Sequence, residues 1–209
     1  MHRFLSTMSR FNSILLLVCP LICSAQMVPE ASSFNEGVVW ESVFTEGPEG
    51  KVNRGLVDAE GNAVCVSMPE GSARIHKING DDGSLIWEAT FTDRLGLGIA
   101  EIIGDDGEPD YVVTGGAGST QECWLARIEG ANGNIMWETI LDEPGNNWEF
   151  DGLRSALVGE DGYIYASGFT GGDEPNTVFV VFAGTETVVK ANPANGEIEW
   201  TSFFPASEY

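Results

Sequence analysis

Three stretches of the chain repeat one another in register, and this repetition limits the folds that the chain can adopt. The stretches read ARIHKINGDDGSLIWEATF (73–91), CWLARIEGANGNIMWETIL (123–141) and ETVVKANPANGEIEWTSFF (186–204). In each, a glycine stands four residues before a tryptophan, and the pairs are Gly83 with Trp87, Gly133 with Trp137 and Gly196 with Trp200. A fainter copy at 36–44 places Trp40 in the tryptophan column. Such self-similarity is typical of proteins that repeat one supersecondary unit.

Each unit is built from short β-strand patterns and tight turns. An acidic glycine turn and a β-rich run lie ahead of each repeat, as in AEGNAVCVS (59–67), DDGEPDYVVTGG (105–116) and EDGYIYASG (160–168). Asx-Gly turns favour hairpins because Gly and Asn tolerate positive φ. Four strands in a unit of about 40 to 50 residues indicate a propeller blade. We therefore predict an all-β fold, a β-propeller-like array of about three four-stranded antiparallel blades at 52–91, 97–141 and 152–204, plus one extra N-terminal strand. With so few blades the propeller is expected to be incomplete.

The first 25 residues have the order of a secretory signal peptide. Residues 1–12 carry Arg3 and Arg10 and no acid, residues 13–23 are apolar, and Ser24 and Ala25 provide small residues before a cut at Gln26. The apolar run is short of the roughly 20 residues that span a bilayer. A membrane anchor and a lipoprotein cut before Cys23 are the weaker alternatives. We predict a signal peptide at 1–25, a linker at 26–36 and a repeat domain at 37–209, in a protein that is secreted, extracellular or periplasmic, and without membrane attachment after cleavage.

The charge balance is strongly acidic and excludes one class of partner. The formal net charge is −22, and two of the ten basic residues lie in the leader. Nucleic acids are held by neutralising their phosphates with basic residues, so no nucleic-acid partner is expected. The acid excess indicates either solubility or cation binding. Cys65 and Cys123 remain after cleavage, and two cysteines form no recognisable disulfide framework, so their pairing stays open.

The repeat also resembles a known family. ANPANGEIEW (191–200) is similar to the tryptophan-docking repeat of quinoprotein-alcohol-dehydrogenase-like (PQQ-like) propellers, Ala-x-Asp-x-x-x-Gly-x-x-x-Trp, and 81–87 and 131–137 match its turn-and-tryptophan half. The resemblance covers about 37–204. It implies that each indole packs between neighbouring blades and donates its N–H to a backbone carbonyl. The residues in these structural docking roles would be Trp40, Trp87, Trp137, Trp200, Gly83, Gly133 and Gly196.

The chain departs from that family in two respects. Asn79, Glu129 and Asn192 stand where the docking repeat has Asp. A quinoprotein dehydrogenase of this family closes eight blades around pyrroloquinoline quinone (PQQ), whereas three blades and one strand cannot close a ring unaided. We therefore expect no cofactor and in particular no PQQ. Homo-oligomerisation or a partner chain would be needed to complete a propeller.

Few residues of the chain indicate a metal-binding, catalytic or anion-binding site. GDDGEPDYVV (104–113) partly resembles the calcium loop of integrin-type propeller repeats, so Asp106, Glu108 and Asp110 are candidate Ca²⁺ ligands, with a solvated turn as the alternative. His76 is the one histidine after the leader, and no catalytic residue is predicted. A base recurs six residues before each repeat glycine, either as a blade-to-blade ion partner or as part of an anion site; the three are Lys77, Arg127 and Lys190.

These observations favour a secreted, non-enzymatic propeller-repeat module that binds or scaffolds a protein or glycan partner. One alternative is a fragment or diverged relative of a PQQ-dependent dehydrogenase. Another is a calcium-dependent adhesion repeat. The fold alone does not distinguish them, since one fold hosts many functions.

Overall fold

Three four-stranded antiparallel sheets, each following chain order, make up the described part of the protein. The structure is a computed structural model that describes residues 26–27, 40, 42–43, 52–69, 71–118, 122–141, 151–170 and 185–204. The predicted signal peptide, Trp148 (a tryptophan outside the repeat column) and residues 171–184 lie outside these ranges. The described residues contain strands and turns, and none of them forms a helix able to cross a membrane.

The strand bounds define three units, which we call sheets 1, 2 and 3. Sheet 1 contains β3 (Val52–Val57), β4 (Ala63–Ser67), β5 (Ser72–Ile78) and β6 (Leu85–Thr92). Sheet 2 contains β7 (Arg94–Ile103), β8 (Pro109–Ala117), β9 (Glu122–Ile128) and β10 (Ile135–Leu141). Sheet 3 contains β11 (Gly152–Val158), β12 (Ile164–Thr170), β13 (Thr185–Ala191) and β14 (Ile198–Phe204). The all-β class and the open array of three four-stranded blades are confirmed.

A two-stranded pair precedes the three sheets. It joins β1 (Gln26–Met27) to β2 (Ser42–Val43), which run antiparallel. The strand β2 falls within the predicted extra N-terminal strand, and β1 falls at the start of the range predicted as a linker.

The last hairpin of every sheet has one backbone conformation, and its glycine explains why. Gly83, Gly133 and Gly196 have φ of 72°, 76° and 72°, in the left-handed region that favours glycine. In sheet 1 the Gly83 N–H donates to the Asn79 carbonyl at 2.9 Å. The corresponding bonds in the other sheets join Gly133 to Glu129 and Gly196 to Asn192. The repeated sequence therefore produces a repeated turn.

The sheets pack face to face, and sheet 2 is buried on both faces. One apolar core, between sheets 1 and 2, includes Val64, Ile75 and Val113. A second core, between sheets 2 and 3, includes Leu125 and Val189. All five are fully buried, which removes each side chain from water at a gain of about 1.5 to 3 kcal/mol. Strand β8 is buried along its whole length, which explains its nearly continuous apolar and glycine sequence.

Candidate functional site

Three tryptophans hydrogen-bond to the sheet that follows them, each through the same kind of acceptor. The acceptor is a carbonyl three residues before the turn glycine of the next sheet. The bonds join Trp40 Nε1 to the Gly80 oxygen at 2.8 Å, Trp87 Nε1 to the Gly130 oxygen at 2.8 Å and Trp137 Nε1 to the Pro193 oxygen at 2.9 Å. We call this arrangement a docking junction. The junctions at Trp87 and Trp137 connect sheets 1 and 2 and sheets 2 and 3.

Each docking junction requires glycine at the turn for two reasons. Its positive φ shapes the turn, and its missing side chain leaves room for the indole. A Cβ at Gly133 would lie 2.9 Å from Trp87 ring carbons, and a Cβ at Gly83 would lie 2.8 Å from the Trp40 ring. At Gly196 a Cβ would overlap the Trp137 ring. The structure thus pairs each of these glycines with the tryptophan of the preceding unit.

The recurring base adds a second hydrogen bond to the junctions at Trp87 and Trp137. Lys77 Nζ lies 3.4 Å from the Gly130 oxygen that also accepts from Trp87. Arg127 donates at 3.0 Å to the Pro193 oxygen that also accepts from Trp137. One carbonyl therefore receives an indole N–H and a cation at each of these two junctions.

Each base is also paired with an acid of its own sheet. Lys77 lies 3.3 Å from Asp58 and 2.7 Å from Glu60, and its side chain is 6% exposed. Arg127 lies 2.6 Å from Asp110. The cations are thereby neutralised locally and point toward a neighbouring turn, as expected for blade-to-blade partners.

The junction between sheets 1 and 2 contains a buried proton donor and acceptor, Tyr111 and Asp58. The Tyr111 hydroxyl donates to Asp58 Oδ2 at 2.7 Å. Burial raises the pKa of Asp58, but hydrogen bonds from Tyr111, from the Asn62 backbone and from Lys77 outweigh burial and hold this pKa below its usual range. Burial and the bond to Asp58 raise the pKa of Tyr111. The phenol therefore keeps its proton and the carboxylate its charge at neutral pH, which suits a structural contact.

Trp200 is the docking tryptophan without a receiving turn in the described part of the chain. Its side chain is 42% exposed, and its ring meets the Tyr165 ring edge-on with centroids 6.1 Å apart. The base of the same repeat, Lys190, lies 2.8 Å from Asp161 and 4.0 Å from the centre of the Tyr163 ring. Sheet 3 therefore presents the parts of a docking junction on its outer side.

The candidate calcium ligands Asp106 and Glu108 lie in the turn before β8, Asp110 lies on β8, and the carboxylates of Asp106 and Asp110 already accept hydrogen bonds. Asp110 Oδ2 accepts from Arg127, and Asp110 Oδ1 accepts the Gly130 N–H at 2.9 Å. Asp106 Oδ1 accepts the Glu108 N–H at 3.1 Å. Within the ranges that the structure describes, no group of three or more His, Cys, Asp or Glu side chains is arranged to hold a metal ion. Calcium binding by Asp106, Glu108 and Asp110 stays a prediction.

The other chemically notable side chains lie in packed positions. His76 Nε2 is 2.9 Å from Glu88 Oε2 across two strands of sheet 1. Cys65 and Cys123 form no disulfide with each other, and burial raises the pKa of Cys65, which keeps its thiol protonated and poorly nucleophilic. Trp124, which lies outside the repeat column and for which packing is favoured over surface binding, is fully buried.

Sequence reasoning missed the acids that pair with the bases. Asp161 pairs with Lys190, and Glu60 pairs with Lys77. Both acids stand immediately before an equivalent turn glycine, Gly162 or Gly61. That shared position was a usable signal. Asp58 and Tyr111 give no such signal because their pairing depends on how two sheets meet.

Comparison with known proteins gives no family for this chain. No protein-family model matches it, and no curated protein matches it. Among solved structures it is similar to a protein of unknown function from Bacteroides caccae, with a TM-score of 0.48 and 13% identity. The match covers 79% of this chain and 50% of that protein, so the chain spans about half of its length.

Replacing the turn glycine of a docking junction with alanine should lower the free energy of unfolding more than replacing a glycine of similar φ outside the junctions. Gly133→Ala and Gly107→Ala both place a side chain at positive φ in sheet 2, which costs about 1 to 2 kcal/mol. Gly107 has open space around it, whereas at Gly133 the new methyl group meets Trp87. We expect Gly133→Ala to lose a further 1 to 3 kcal/mol, roughly, from overpacking. Urea denaturation measures both variants, and equal losses would contradict the docking contact.

The ion pair on sheet 3 predicts an unusual titration. Hydrogen bonds from Lys190 and Tyr165 lower the pKa of Asp161 to about 2. Since the folded pKa lies below the unfolded one, this stabilisation is present above the unfolded pKa and is lost as the pH falls to about 2. Lys190→Met should return the Asp161 pKa toward its ordinary value, as followed by carboxyl NMR. An unchanged titration would show that Lys190 does not bind Asp161 in solution.

The calcium hypothesis predicts stabilisation by the ion. Ligands that bind only the folded state raise the melting temperature. Millimolar Ca²⁺ should therefore raise the melting temperature of the protein, chelator should reverse the rise, and Asp106→Asn should abolish it. Asp161→Asn, in the equivalent turn of sheet 3, serves as the matched control and should retain the rise. No rise in the unsubstituted protein would rule out this site.

Proposed function

We propose that this protein is a secreted, non-enzymatic binding module whose stacked sheets act as a scaffold for one exposed docking face. The observation that carries the proposal is the unequal exposure of equivalent residues. Trp87 is 9% exposed where sheet 2 covers it, whereas Trp200 is 42% exposed. Exposed aromatic clusters with polar neighbours are characteristic of interaction sites.

The binding surface in this proposal is the outer face of sheet 3, defined by Leu157, Tyr165, Lys190 and Trp200. Leu157 is 57% exposed and lies in line with Tyr165, Lys190 and Trp200, one residue from each strand of sheet 3. Tyr and Trp give large contact areas at low entropic cost, and a central cation can satisfy a partner's carbonyl. A protein partner suits this combination, and a glycan that stacks on Trp200 is the alternative.

The arrangement of ionisable groups supports a non-enzymatic role. Asp58, Lys77, Asp110 and Arg127 form ion pairs whose cations reach the turn of a neighbouring sheet. Groups used in this way join sheets, and a substrate would have to compete with those partners. A relative of PQQ-dependent dehydrogenases and a calcium-dependent adhesion repeat are the alternatives that experiment can separate.

Removing the apolar side chains of the outer face should reduce binding of a neutral apolar probe. The double variant Leu157→Ser with Trp200→Ser is compared with Val57→Ser with Ile103→Ser, whose residues are also exposed but lie on other sheets. We expect Nile red fluorescence to fall at least twofold in the first variant and to change little in the second. Thermal melts confirm that both fold. Equal fluorescence in the two variants would contradict a binding face on sheet 3.

The non-enzymatic part of the proposal has its own measurement. The purified protein is mixed with PQQ and with alcohol or sugar substrates, and quinone absorbance and substrate oxidation are followed. We expect neither to change. Turnover would identify a dehydrogenase and overturn the proposal.

A further inference from the structure

Equivalent rows of four side chains cross the three sheets, one residue from each strand. Each row ends in a base and a docking tryptophan on neighbouring strands. The rows are Leu56–Val64–Lys77–Trp87, Ala100–Val112–Arg127–Trp137 and Leu157–Tyr165–Lys190–Trp200. We call these the docking rows.

The first two docking rows are covered by the next sheet, and the third is open. Val64 and Val112, at the second position of their rows, are fully buried. Tyr165 occupies that position in the third row and is only partly buried. The side chains of Lys77, Arg127 and Lys190 are 6%, 10% and 19% exposed in turn. The third row thus continues an interface that the molecule already makes twice.

The occupied turns indicate what kind of partner can cover the third row. A docking tryptophan needs an Asx- or Glu-x-x-x-Gly turn whose glycine is free of other contacts. The described residues contain three such turns, and each is already filled, by Trp40, Trp87 or Trp137. A second copy folded in the same way therefore offers no described turn that could receive Trp200.

We propose that the outer face of sheet 3 docks a blade-type β-sheet supplied by another polypeptide, whose own glycine turn is unfilled. The carbonyl three residues before that glycine accepts from the Trp200 indole and from Lys190. An ammonium has three donors, so Lys190 can keep its bond to Asp161. The glycine presents no Cβ to the Trp200 ring. This inference rests on the proposed function and names its partner.

Next to the docking row of sheet 3, the same outer face carries another row of four residues. This neighbouring row shows how a junction on the outer face would differ from the junctions between the sheets of the molecule. This neighbouring row consists of Ser155, Ser167, Val188 and Ser202. The matching row in sheet 1 contains Val66, Ile75 and Ala89, of which the first two are fully buried. Hydroxyl groups keep the outer face hydrated before binding, so the junction should exchange its partner rather than hold it permanently.

A variant of the chain itself can serve as the probe. The probe carries Trp40→Ala, which vacates the Gly83 turn, and Trp200→Ala, which prevents it from docking on itself. The unsubstituted chain, with Trp200 intact and its described turns filled, is the binding partner in the assay. Trp200→Ala alone is the matched control partner, and a probe with the added change Gly83→Val tests the turn. Circular dichroism and thermal melts verify that every variant folds.

Sedimentation velocity of the mixtures gives the decisive result. We expect a one-to-one complex of the probe with the unsubstituted chain. Affinity should be at least tenfold weaker with the Trp200→Ala partner or with the Gly83→Val probe. Equal association with both partners would overturn the proposal. Self-association of the unsubstituted chain that Trp200→Ala abolishes would also overturn it, since a second copy would then be the occupant.

A second measurement does not depend on the probe folding. Acrylamide quenching of the unsubstituted chain, compared with Trp200→Phe, isolates the fluorescence of Trp200. The proposal requires this indole to be accessible in the isolated chain, and an inaccessible one would overturn it. If Nile red binds the outer face but the probe does not, this inference fails and the proposed function stands. If Nile red binding is unaffected by the face variant, the proposed function fails first.

Discussion

The sheet stack depends on a tryptophan that fits a turn in which glycine leaves a gap. The Trp87 indole lies where a side chain at Gly133 would be, and its N–H is satisfied by the Gly130 carbonyl. A buried aromatic ring removes a large apolar area from water, and an unpaired N–H beneath it would cost about 1 to 3 kcal/mol. The contact therefore combines apolar burial with a satisfied donor. Each sheet buries its apolar residues only against a neighbouring sheet. The array therefore needs a contact of this kind at every boundary between sheets.

The second constraint is electrostatic, because the junctions at Trp87 and Trp137 each also bring in a cation. Lys77 is nearly excluded from solvent, and an unpaired charge at such a place would be costly. Asp58, Glu60 and the Gly130 carbonyl surround it. Tyr111 from sheet 2 then binds Asp58 of sheet 1, so the network crosses the boundary in both directions. Sheet 2 takes part in two such boundaries, which agrees with the burial of both its faces.

The fold was accessible from sequence because its signals are local. A turn glycine, an Asx residue ahead of it and an alternating strand pattern act over a few residues, and they recur three times in register. The repeat does not indicate which sheet buries Trp124, because Trp124 lies outside the tryptophan column and is covered by residues of sheet 1 such as Phe91. Tyr111 does not repeat either, because Ala63 and Ile164 occupy the equivalent position in sheets 1 and 3. Each of these three residues comes immediately before the second residue of its docking row. The pairing of Asp110 with Arg127 could not be predicted, because the register that brings them together is a property of the folded sheet.

The exposed end of the stack also limits the symmetry of any assembly formed through it. The docking junctions at Trp87 and Trp137 each join a donor side, with an indole N–H and a cation, to an acceptor side with a carbonyl and a glycine. The outer face of sheet 3 carries the donor side. Two such faces turned toward each other would oppose cation to cation and donor to donor. Contacts through this face are consequently heterologous, which excludes a two-fold axis across it and gives the assembly a head and a tail.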